Sequence, residues 1–334
     1  MILVTGANGL IGSQVCKLLL ALNIPFKAMK RCDSDISLLL NNNVKWVEGD
    51  ILDAVTFQEY LLGVEVVVHC AAVVSYHKED EYLMYQVNVE GTRNVVDTCI
   101  EAGIKQFIHI SSIAALGRKP ERNTIDEDDN WSDSPMNSTY ARTKYLSELE
   151  AWRGYHEGMG VCVINPSVVI ASGDGKRSSS KLLQYIWDEK KFYTDGKLNY
   201  VDARDVANIV VEIYKRKIVG ERFILNAGNI SYKDVFEKIA KRFEKKPPSI
   251  KVGNNLLKFI YIMDQLKYFL TRIKPVVTKE MLKSSRSNSL YVNTKSKNFF
   301  NIDYKSIDET INWACSTFKQ QKKDNFETNI NYIE

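Results

Sequence analysis

The sequence predicts an α/β protein in which a doubly wound parallel sheet is followed by a smaller C-terminal domain. Short apolar runs typical of buried strands alternate with helical patterns through the first two thirds of the chain. A glycine-rich loop follows directly on the first of these runs. The composition changes after Gly228, where a Lys-Lys-Pro-Pro stretch interrupts a helical pattern. These observations favour a sheet with helices on both faces and a second unit packed against it.

The predicted strands are short and rich in Val and Ile, as strands covered on both faces are. They are expected at Ile2–Thr5, Phe26–Lys30, Val44–Val47, Glu65–Cys70, Gln106–Ser111, Val161–Asn165 and Arg222–Asn226. Apolar residues at helical spacing predict helices at Leu10–Leu22, Ala54–Leu62, Val87–Ala102, Tyr140–Glu157 and Ala203–Arg216. We expect residues 1–170 and 196–227 to form the sheet domain, and 171–195 with 228–334 to form the smaller, substrate-binding domain.

The composition excludes several classes of protein. The chain has 334 residues, of which 45% are hydrophobic and 26% charged, as in ordinary globular proteins. Its net charge is +4 without a basic patch beside aromatic residues, which predicts no nucleic-acid partner. The six cysteines form no Cys-x-x-Cys pair and the four histidines have no ligand spacing, so we expect free thiols and no metal. The sequence shows neither a signal peptide pattern ahead of the first predicted strand nor a transmembrane segment, so we expect the protein to be located in the cytoplasm.

The loop after the first strand carries three glycines at three-residue spacing, Gly6, Gly9 and Gly12. A helical pattern begins inside the loop, at Leu10 and Ile11. A strand, a tight turn and a helix start bring unpaired N–H groups and the positive end of the helix dipole together. These five residues therefore predict a phosphate site. Their spacing differs from the Gly-x-Gly-x-x-Gly fingerprint of dinucleotide sites, and a purely structural turn is the alternative.

Two basic residues, Lys30 and Arg31, end the second predicted strand. In a doubly wound sheet this point lies beside the adenosine ribose, where an acidic residue binds the ribose hydroxyls and a basic one favours a 2′-phosphate. No carboxylate occurs there before Asp33. The pair therefore favours NADP(H) as cofactor, with Arg31 as the forked contact and NAD(H) as the alternative. A solvated turn without a ligand is the other interpretation.

A tyrosine and a lysine four residues apart, Tyr140 and Lys144, share one face of a predicted helix. A phenol has an ordinary pKa of about 10 and is a weak acid–base group at neutral pH. A nearby ammonium stabilises the phenolate and lowers that pKa. The pair therefore predicts an acid–base centre, although the spacing alone also occurs by chance.

Together the glycine loop and the Tyr-x-x-x-Lys pair resemble the extended short-chain dehydrogenases/reductases, which are built on a Rossmann sheet. The resemblance implies three catalytic residues: Ser112 orients the substrate oxygen toward Tyr140, and Lys144 also holds the nicotinamide ribose. Ser111 is expected to face the other side of its strand. The family also places Asp50 at the adenine amino group. The other cofactor contacts predicted from the motifs are Ile51, Ala71, Ala72, Pro166 and Val169.

Further segments are similar to the family's. Asn88 opens an Asn-Val-x-Gly-Thr motif whose asparagine ties strand ends together, and a helix N-cap is the alternative. Asp202 and Asp205 lie in a Val-Asp-x-x-Asp-Val-Ala motif and are also candidate caps. The acidic run 126–129 is expected to be a solvated loop. Contact between substrate and the neighbouring Trp131 is the less favoured alternative.

The branch of the family is indicated by three departures from sugar-nucleotide enzymes. Basic residues end the second strand, Val168 stands where those enzymes carry an asparagine, and Ile113–Ala114 stands where dehydratases carry Asp-Glu. The chain is more similar to the dihydroflavonol-4-reductase and 3β-hydroxysteroid dehydrogenase group. That resemblance implies reduction of the carbonyl, or oxidation of the alcohol, of a bulky and mostly apolar small molecule.

Several alternatives stay open. The first is an NAD-dependent sugar-nucleotide epimerase, and the second is a non-catalytic dinucleotide sensor, which the Tyr–Lys pair disfavours. A homodimer is an open alternative to a monomer. The apolar helix predicted at Leu256–Leu270 is expected to be a lid or core helix that roofs or supports an apolar pocket. An interfacial helix that contacts a membrane or an apolar substrate is its alternative.

Overall fold

The computed structural model describes residues 1–118, 124–173, 175, 179–253 and 289–330, with side chains described up to residue 323. Strands in this part of the chain are β1 (Ile2–Thr5), β2 (Phe26–Lys30), β3 (Trp46–Glu48), β4 (Val66–His69), β5 (Gln106–Ile110), β6 (Thr124–Ile125), β7 (Gly160–Pro166), β8 (Val168–Ile170), β9 (Phe192–Tyr193), β10 (Lys197–Asp202), β11 (Glu221–Leu225), β12 (Gly228–Ser231), β13 (Ile250–Lys251) and β14 (Leu290–Tyr291). The α-helices described are α1 (Leu10–Ala21), α2 (Ala54–Glu59), α3 (Glu81–Tyr85), α4 (Gly91–Glu101), α5 (Thr139–His156), α6 (Ser180–Trp187), α7 (Ala203–Arg216), α8 (Tyr232–Phe243), α9 (Thr294–Phe300) and α10 (Ile307–Ile330).

Seven strands form one parallel sheet in the order β11-β7-β5-β4-β1-β2-β3. Each neighbouring pair is parallel, with Thr5 opposite His69 and Ile110 opposite Ile164 in register. The chain winds outward in both directions from β1, so the strand order reverses between β1 and β4. This confirms the predicted doubly wound α/β fold. Ligands bind such sheets at the carboxyl ends of the strands beside this reversal.

Hydrophobic side chains cover both faces of the sheet. On one face α1 and α7 pack on the strands through residues such as Val15, Leu19 and Val210. On the other, α4 and α5 bury Val95 and Ala151. Burial on two faces explains why the strands read as unbroken apolar runs in the sequence.

A second hydrophobic cluster lies beside the large sheet. Strands β8, β10 and β12 form a three-stranded sheet, which packs with α6, α8 and α10. Leu183, Ile239 and Phe318 are among the buried residues of this cluster. The predicted helix at Leu256–Leu270 lies outside the described residues. Among the described helices, none is both long and apolar enough to cross a membrane.

The helix predicted from Val87 differs from the observed one. A π-helical turn covers Gln86–Glu90, and α4 begins only at Gly91. A side chain at Gly91 would place its Cβ 2.7 Å from the Ile51 side chain, so this helix start packs closely against the loop after β3. The sequence period continues through both segments and does not reveal the widened turn.

Candidate active site

The glycine loop between β1 and α1 depends on close backbone contacts. Gly6 has a φ of +60°, and a Cβ there would lie 2.8 Å from the Ala71 Cα. A Cβ on Gly12 would lie 2.3 Å from the carbonyl oxygen of Gly6. Gly9, the N-cap of α1, donates its N–H to the Gly6 carbonyl at 2.9 Å and offers no side-chain cap. The N–H groups in the first turn of α1, which begins at Leu10, therefore receive no side-chain cap from Gly9, and such a helix start suits a phosphate.

The two basic residues at the end of β2 have different surroundings. Lys30 Nζ lies 2.6 Å from Glu48 Oε1 and donates to the Cys32 carbonyl at 3.0 Å. Its side chain is 12% exposed. Arg31, in contrast, is exposed at the carboxyl edge of the sheet. Of the two predicted phosphate contacts, only Arg31 therefore presents its charge to solvent.

The loop after β3 forms a turn that is stabilised by a hydrogen bond to a side chain. Asp50 Oδ1 accepts the N–H of Leu52 at 3.0 Å, so one carboxylate oxygen shapes the turn. Ile51 is buried against Gly91. Asp50 is half-buried, and its role at an adenine stays a prediction.

Asn88 connects the segment after β4 to the helix that carries Tyr140 and Lys144. Its Oδ1 accepts from Val73 N at 2.7 Å, and its Nδ2 donates to Val73 O at 2.9 Å and to Thr143 Oγ1 at 3.1 Å. The helix-cap alternative is wrong, because Asn88 lies inside the π-helical turn. These bonds fix the backbone just beyond Ala71 and Ala72.

The three predicted catalytic side chains lie at the carboxyl end of β5. Ser112 caps the short turn after this strand, with its Oγ accepting from Ala114 N at 3.1 Å, and its hydroxyl is hydrogen-bonded to Tyr140. Tyr140 lies in the first turn of α5, whose N-cap is a serine. Lys144, one turn later, is 2% exposed and donates to the Ile110 carbonyl at 2.9 Å. Pro166 and Val169 lie at the end of β7 and in β8.

The electrostatics of the pair differ from the sequence expectation. Burial raises the pKa of Tyr140 above its ordinary value, an effect that Tyr76 reinforces and the Ser112 hydrogen bond opposes. Burial also lowers the pKa of Lys144 to about 8. The predicted lowering of the Tyr140 pKa by the ammonium is therefore wrong for the protein alone. Burial has the largest effect on the pKa of the phenol, and the ammonium of Lys144 donates to the Ile110 carbonyl.

Two side chains at the site belong to none of the motifs identified in the sequence. The ring of Tyr76 lies 6.5 Å from the ring of Tyr140 in an edge-on arrangement. Glu148 lies one helical turn beyond Lys144 and is buried. The spacing of 140, 144 and 148 along α5 is the signal that could have identified the glutamate.

The acidic loop is not simply solvated, which corrects the expectation for residues 126–129. Glu127 Oε1 accepts the N–H of Ile224 in β11 at 2.9 Å, and Asp129 is buried. Trp131 stacks on Tyr145 of α5, with ring centroids 4.7 Å apart. The loop is therefore anchored to the sheet and to α5.

The two aspartates near α7 have separate functions. Asp202 is the N-cap, and its Oδ1 accepts from Arg204 N at 2.8 Å, which confirms the cap interpretation for this residue. Asp205 does not cap the helix. Its carboxylate accepts the N–H of Lys305 at 2.8 Å and holds the C-terminal segment. Among the described residues no group of His, Cys, Asp or Glu side chains could hold a metal ion.

A doubly wound parallel sheet with a glycine loop between β1 and α1 is the architecture of dinucleotide-binding enzymes. The sequence profile of the NAD dependent epimerase/dehydratase family matches residues 2–228. The chain belongs to this family, which confirms the extended short-chain dehydrogenase/reductase resemblance.

Relatives across most of the chain are named as reductases. A provisionally named dihydroflavonol 4-reductase of Synechocystis sp. is 28% identical over 95% of this chain and 94% of its own. Cinnamoyl-CoA reductase 1 of Petunia hybrida is 28% identical over 74% of this chain and 78% of its own. The crystal structure of gox2253 has a TM-score of 0.80 at 28% identity and covers 96% of this chain and 98% of its own.

A sugar-nucleotide enzyme also shares the fold. The Thermus thermophilus UDP-glucose 4-epimerase in complex with NAD has a TM-score of 0.76 over 95% of this chain and 98% of its own. The two sequences are 16% identical, so this likeness concerns the fold alone.

Proposed function

We propose that the protein is an NADP(H)-dependent reductase of a bulky, mostly apolar carbonyl compound, or a dehydrogenase of the corresponding alcohol. The observation that carries this proposal is the meeting of Ser112, Tyr140 and Lys144 at one edge of the sheet, where the glycine loop also lies. The loop suits a dinucleotide phosphate because glycines at positions 6 and 12 let its backbone pack tightly at the start of α1, where a Cβ would lie 2.8 Å from the Ala71 Cα or 2.3 Å from the Gly6 carbonyl oxygen.

The chain's own residues supply the proton chemistry. When bound, the reduced nicotinamide supplies a hydride to the carbonyl carbon. Ser112 donates a hydrogen bond to the substrate oxygen, and Tyr140 transfers its phenolic proton to that oxygen as negative charge develops. The ammonium of Lys144 stabilises the phenolate that remains, and it would also hold the nicotinamide ribose of a bound cofactor. Alcohol oxidation uses the same groups in reverse, with Tyr140 as the base.

The substrate class follows from the relatives and the second hydrophobic cluster. Reductases named for dihydroflavonols and cinnamoyl-CoA cover most of the chain. The second cluster is rich in buried aliphatic and aromatic residues, and its strand β8 follows directly on the carboxyl end of β7. We propose that these elements belong to a substrate-binding domain. The preference for NADP(H) is supported by the exposed Arg31 beside the paired Lys30.

A turnover experiment with Tyr140→Phe tests the proposal. The purified protein is incubated with NADPH and a panel of dihydroflavonols, cinnamoyl thioesters and 3-keto steroids, and loss of NADPH absorbance is followed. Removing the phenolic proton donor should reduce turnover of a confirmed substrate by about 10²–10⁴-fold and leave NADPH affinity little changed. Tyr155→Phe, an exposed tyrosine near the other end of α5, is the matched control and should behave as wild type.

Two outcomes would contradict the proposal. Near-normal reduction by Tyr140→Phe would make the tyrosine structural. Tight, stoichiometric binding of a UDP- or dTDP-sugar, without reduction of any carbonyl compound in the panel, would favour the epimerase alternative.

A further inference from the structure

A buried carboxylate lies one helical turn beyond the predicted catalytic lysine. The side chain of Glu148 is 3% exposed. Its Oε2 accepts from Ser111 Oγ at 2.6 Å and from Asn165 Nδ2 at 2.8 Å. Its Oε1 lies 2.6 Å from Arg222 Nη2 and accepts from Trp152 Nε1 at 3.3 Å. All four contacts are donors, which is the environment of an ionised carboxylate that only accepts.

These contacts connect Glu148 to the predicted catalytic serine. Asn165 Nδ2 donates to the Ser112 carbonyl at 3.0 Å as well as to the glutamate. Ser111, the residue before Ser112, donates to the same carboxylate oxygen as Asn165. One buried oxygen atom therefore fixes the backbone on both sides of the serine. Displacement of a catalytic group by about 1 Å is enough to slow a reaction severely.

The glutamate also supplies charge to the lysine. Four titratable groups interact electrostatically with Lys144. Glu148 lies on the same helix, His69 ends β4, Cys70 follows His69, and His109 lies in β5. Burial holds the pKa of His69 at about 3, holds that of His109 well below its usual value and raises that of Cys70 to about 12, so these three groups are neutral at neutral pH. The charge of Glu148 raises the pKa of Lys144 and opposes the effect of burial.

We propose that Glu148 is a positioning residue of the active site, which holds Ser112 through Ser111 and Asn165 and places a fixed negative charge behind Lys144. This inference rests on the proposed reductase function. Glu148 acts through its neighbours and contacts neither substrate nor dinucleotide. Its contribution is therefore to the geometry of the serine and to the fraction of Lys144 that remains an ammonium.

Glu148→Gln keeps the shape of the side chain and removes its charge. The pKa of Lys144 should then fall, so the loss of kcat at alkaline pH should begin about 0.5–1 pH unit lower than in wild type. The maximal kcat should fall about 10–100-fold, with KM changed less than about 3-fold. Glu150→Gln is the matched control, since Glu150 lies on the same helix and pairs with Arg93 and Arg153 on the outer side. It should keep the wild-type pH profile.

A second variant separates geometry from charge. Asn165→Ala breaks the link between Glu148 and the Ser112 carbonyl but keeps the carboxylate, so kcat should fall without a shift of the alkaline limb. It also decides the question if Glu148→Gln does not fold, as judged by circular dichroism. Wild-type kcat in Asn165→Ala, or a folded Glu148→Gln with the wild-type kcat and pH profile, would overturn the proposal.

Cofactor binding gives a readout that does not depend on turnover. NADPH affinity is measured by fluorescence as a function of pH. As the pH rises, the loss of affinity should begin at a lower pH in Glu148→Gln than in wild type, because Lys144 loses its proton earlier. If the wild type binds NADPH but reduces none of the carbonyl compounds, the proposed function fails while this measurement still tests Glu148. Identical pH dependence of NADPH binding in the two proteins would show that Glu148 does not set the charge of Lys144.

Discussion

Arg31 and Lys30 are neighbours in the sequence, yet their charges are used differently. The ammonium of Lys30 is paired with Glu48, while Arg31 is exposed. Arg31→Ala should therefore cost about 1.5–3 kcal/mol of NADPH binding free energy and leave NADH binding nearly unchanged, because a guanidinium forms paired charge-assisted bonds with a 2′-phosphate. Titration with both cofactors measures the effect. Lys30→Ala is the control and should affect both cofactors equally; equal losses in Arg31→Ala would contradict the assignment.

Lys144 should weaken the fold that it serves. Its pKa in the folded protein is about 8, below the ordinary 10.5, so the unfolded chain binds the proton more tightly. This cost is fully present below about pH 8 and is relieved as the pH rises toward the unfolded pKa. Lys144→Met removes this cost but also loses the hydrogen bond to the Ile110 carbonyl. The net effect should be a rise in the free energy of unfolding of about 1–3 kcal/mol at neutral pH.

Urea denaturation of Lys144→Met at neutral pH and at about pH 10 tests this sign. The gain in stability should shrink at the higher pH, where the wild-type lysine is already neutral in the folded state. Lys45→Met, at an exposed position, should change stability by no more than about 0.5 kcal/mol. A gain that did not depend on pH would mean that Lys144 is not the titrating group.

At the scale of elements, the start of α1 depends on Gly12. A Cβ at this position would lie 2.3 Å from the Gly6 carbonyl oxygen, which is a backbone atom of the tight loop and cannot move freely. Gly12→Ala should displace the start of α1, reduce cofactor affinity at least about 10-fold and lower the free energy of unfolding by about 1–3 kcal/mol. Isothermal titration and urea denaturation measure these effects. Gly253→Ala, where a Cβ would contact nothing within 4 Å, is the control.

The boundaries of helices show where the local hydrophobic pattern no longer suffices to predict secondary structure. The helical period predicts a helix from Val87, but α4 begins at Gly91 after a π-helical turn. The turn holds Asn88 against Val73 and Thr143, at separations of 15 and 55 residues. Hydrophobic period records which face is buried, and it contains no information on these distant polar contacts.

At the scale of the whole molecule, two histidines in the central sheet should make the fold sensitive to acid. His69 and His109 stack with ring centroids 5.5 Å apart, and both are neutral in the folded state, with the pKa of His69 lowered to about 3. The unfolded chain binds protons at these residues near about pH 6.5, so their contribution to stability is present above that pH and is lost as the pH falls below it.

The free energy of unfolding should therefore fall by about 1–4 kcal/mol between about pH 7 and pH 5. His109→Phe replaces a ring whose Nδ1 has no hydrogen-bond partner in the described part of the chain and should reduce this dependence. His156→Gln changes an exposed histidine and should leave the dependence unchanged. Equal pH dependence in wild type and His109→Phe would exclude the buried imidazole as a source of acid sensitivity.

The sequence by itself determined the alternation of strands and helices, the glycine loop and the spacing of Tyr140 and Lys144. These features are local, because a strand or a helix reveals its period within one segment and a tight turn reveals its glycines. The parallel sheet and the family membership predicted from them are confirmed.

Only the tertiary structure decided which polar groups meet. Lys30 is neutralised by Glu48 from the next strand, and Asn165 joins Glu148 to the Ser112 carbonyl across a separation of 53 residues. The same packing half-buries Tyr140 and raises its pKa, whereas the lysine alone was expected to lower it. Burial and long-range hydrogen bonds depend on how distant segments pack, so the electrostatics of this site could not follow from the spacing of residues along the chain.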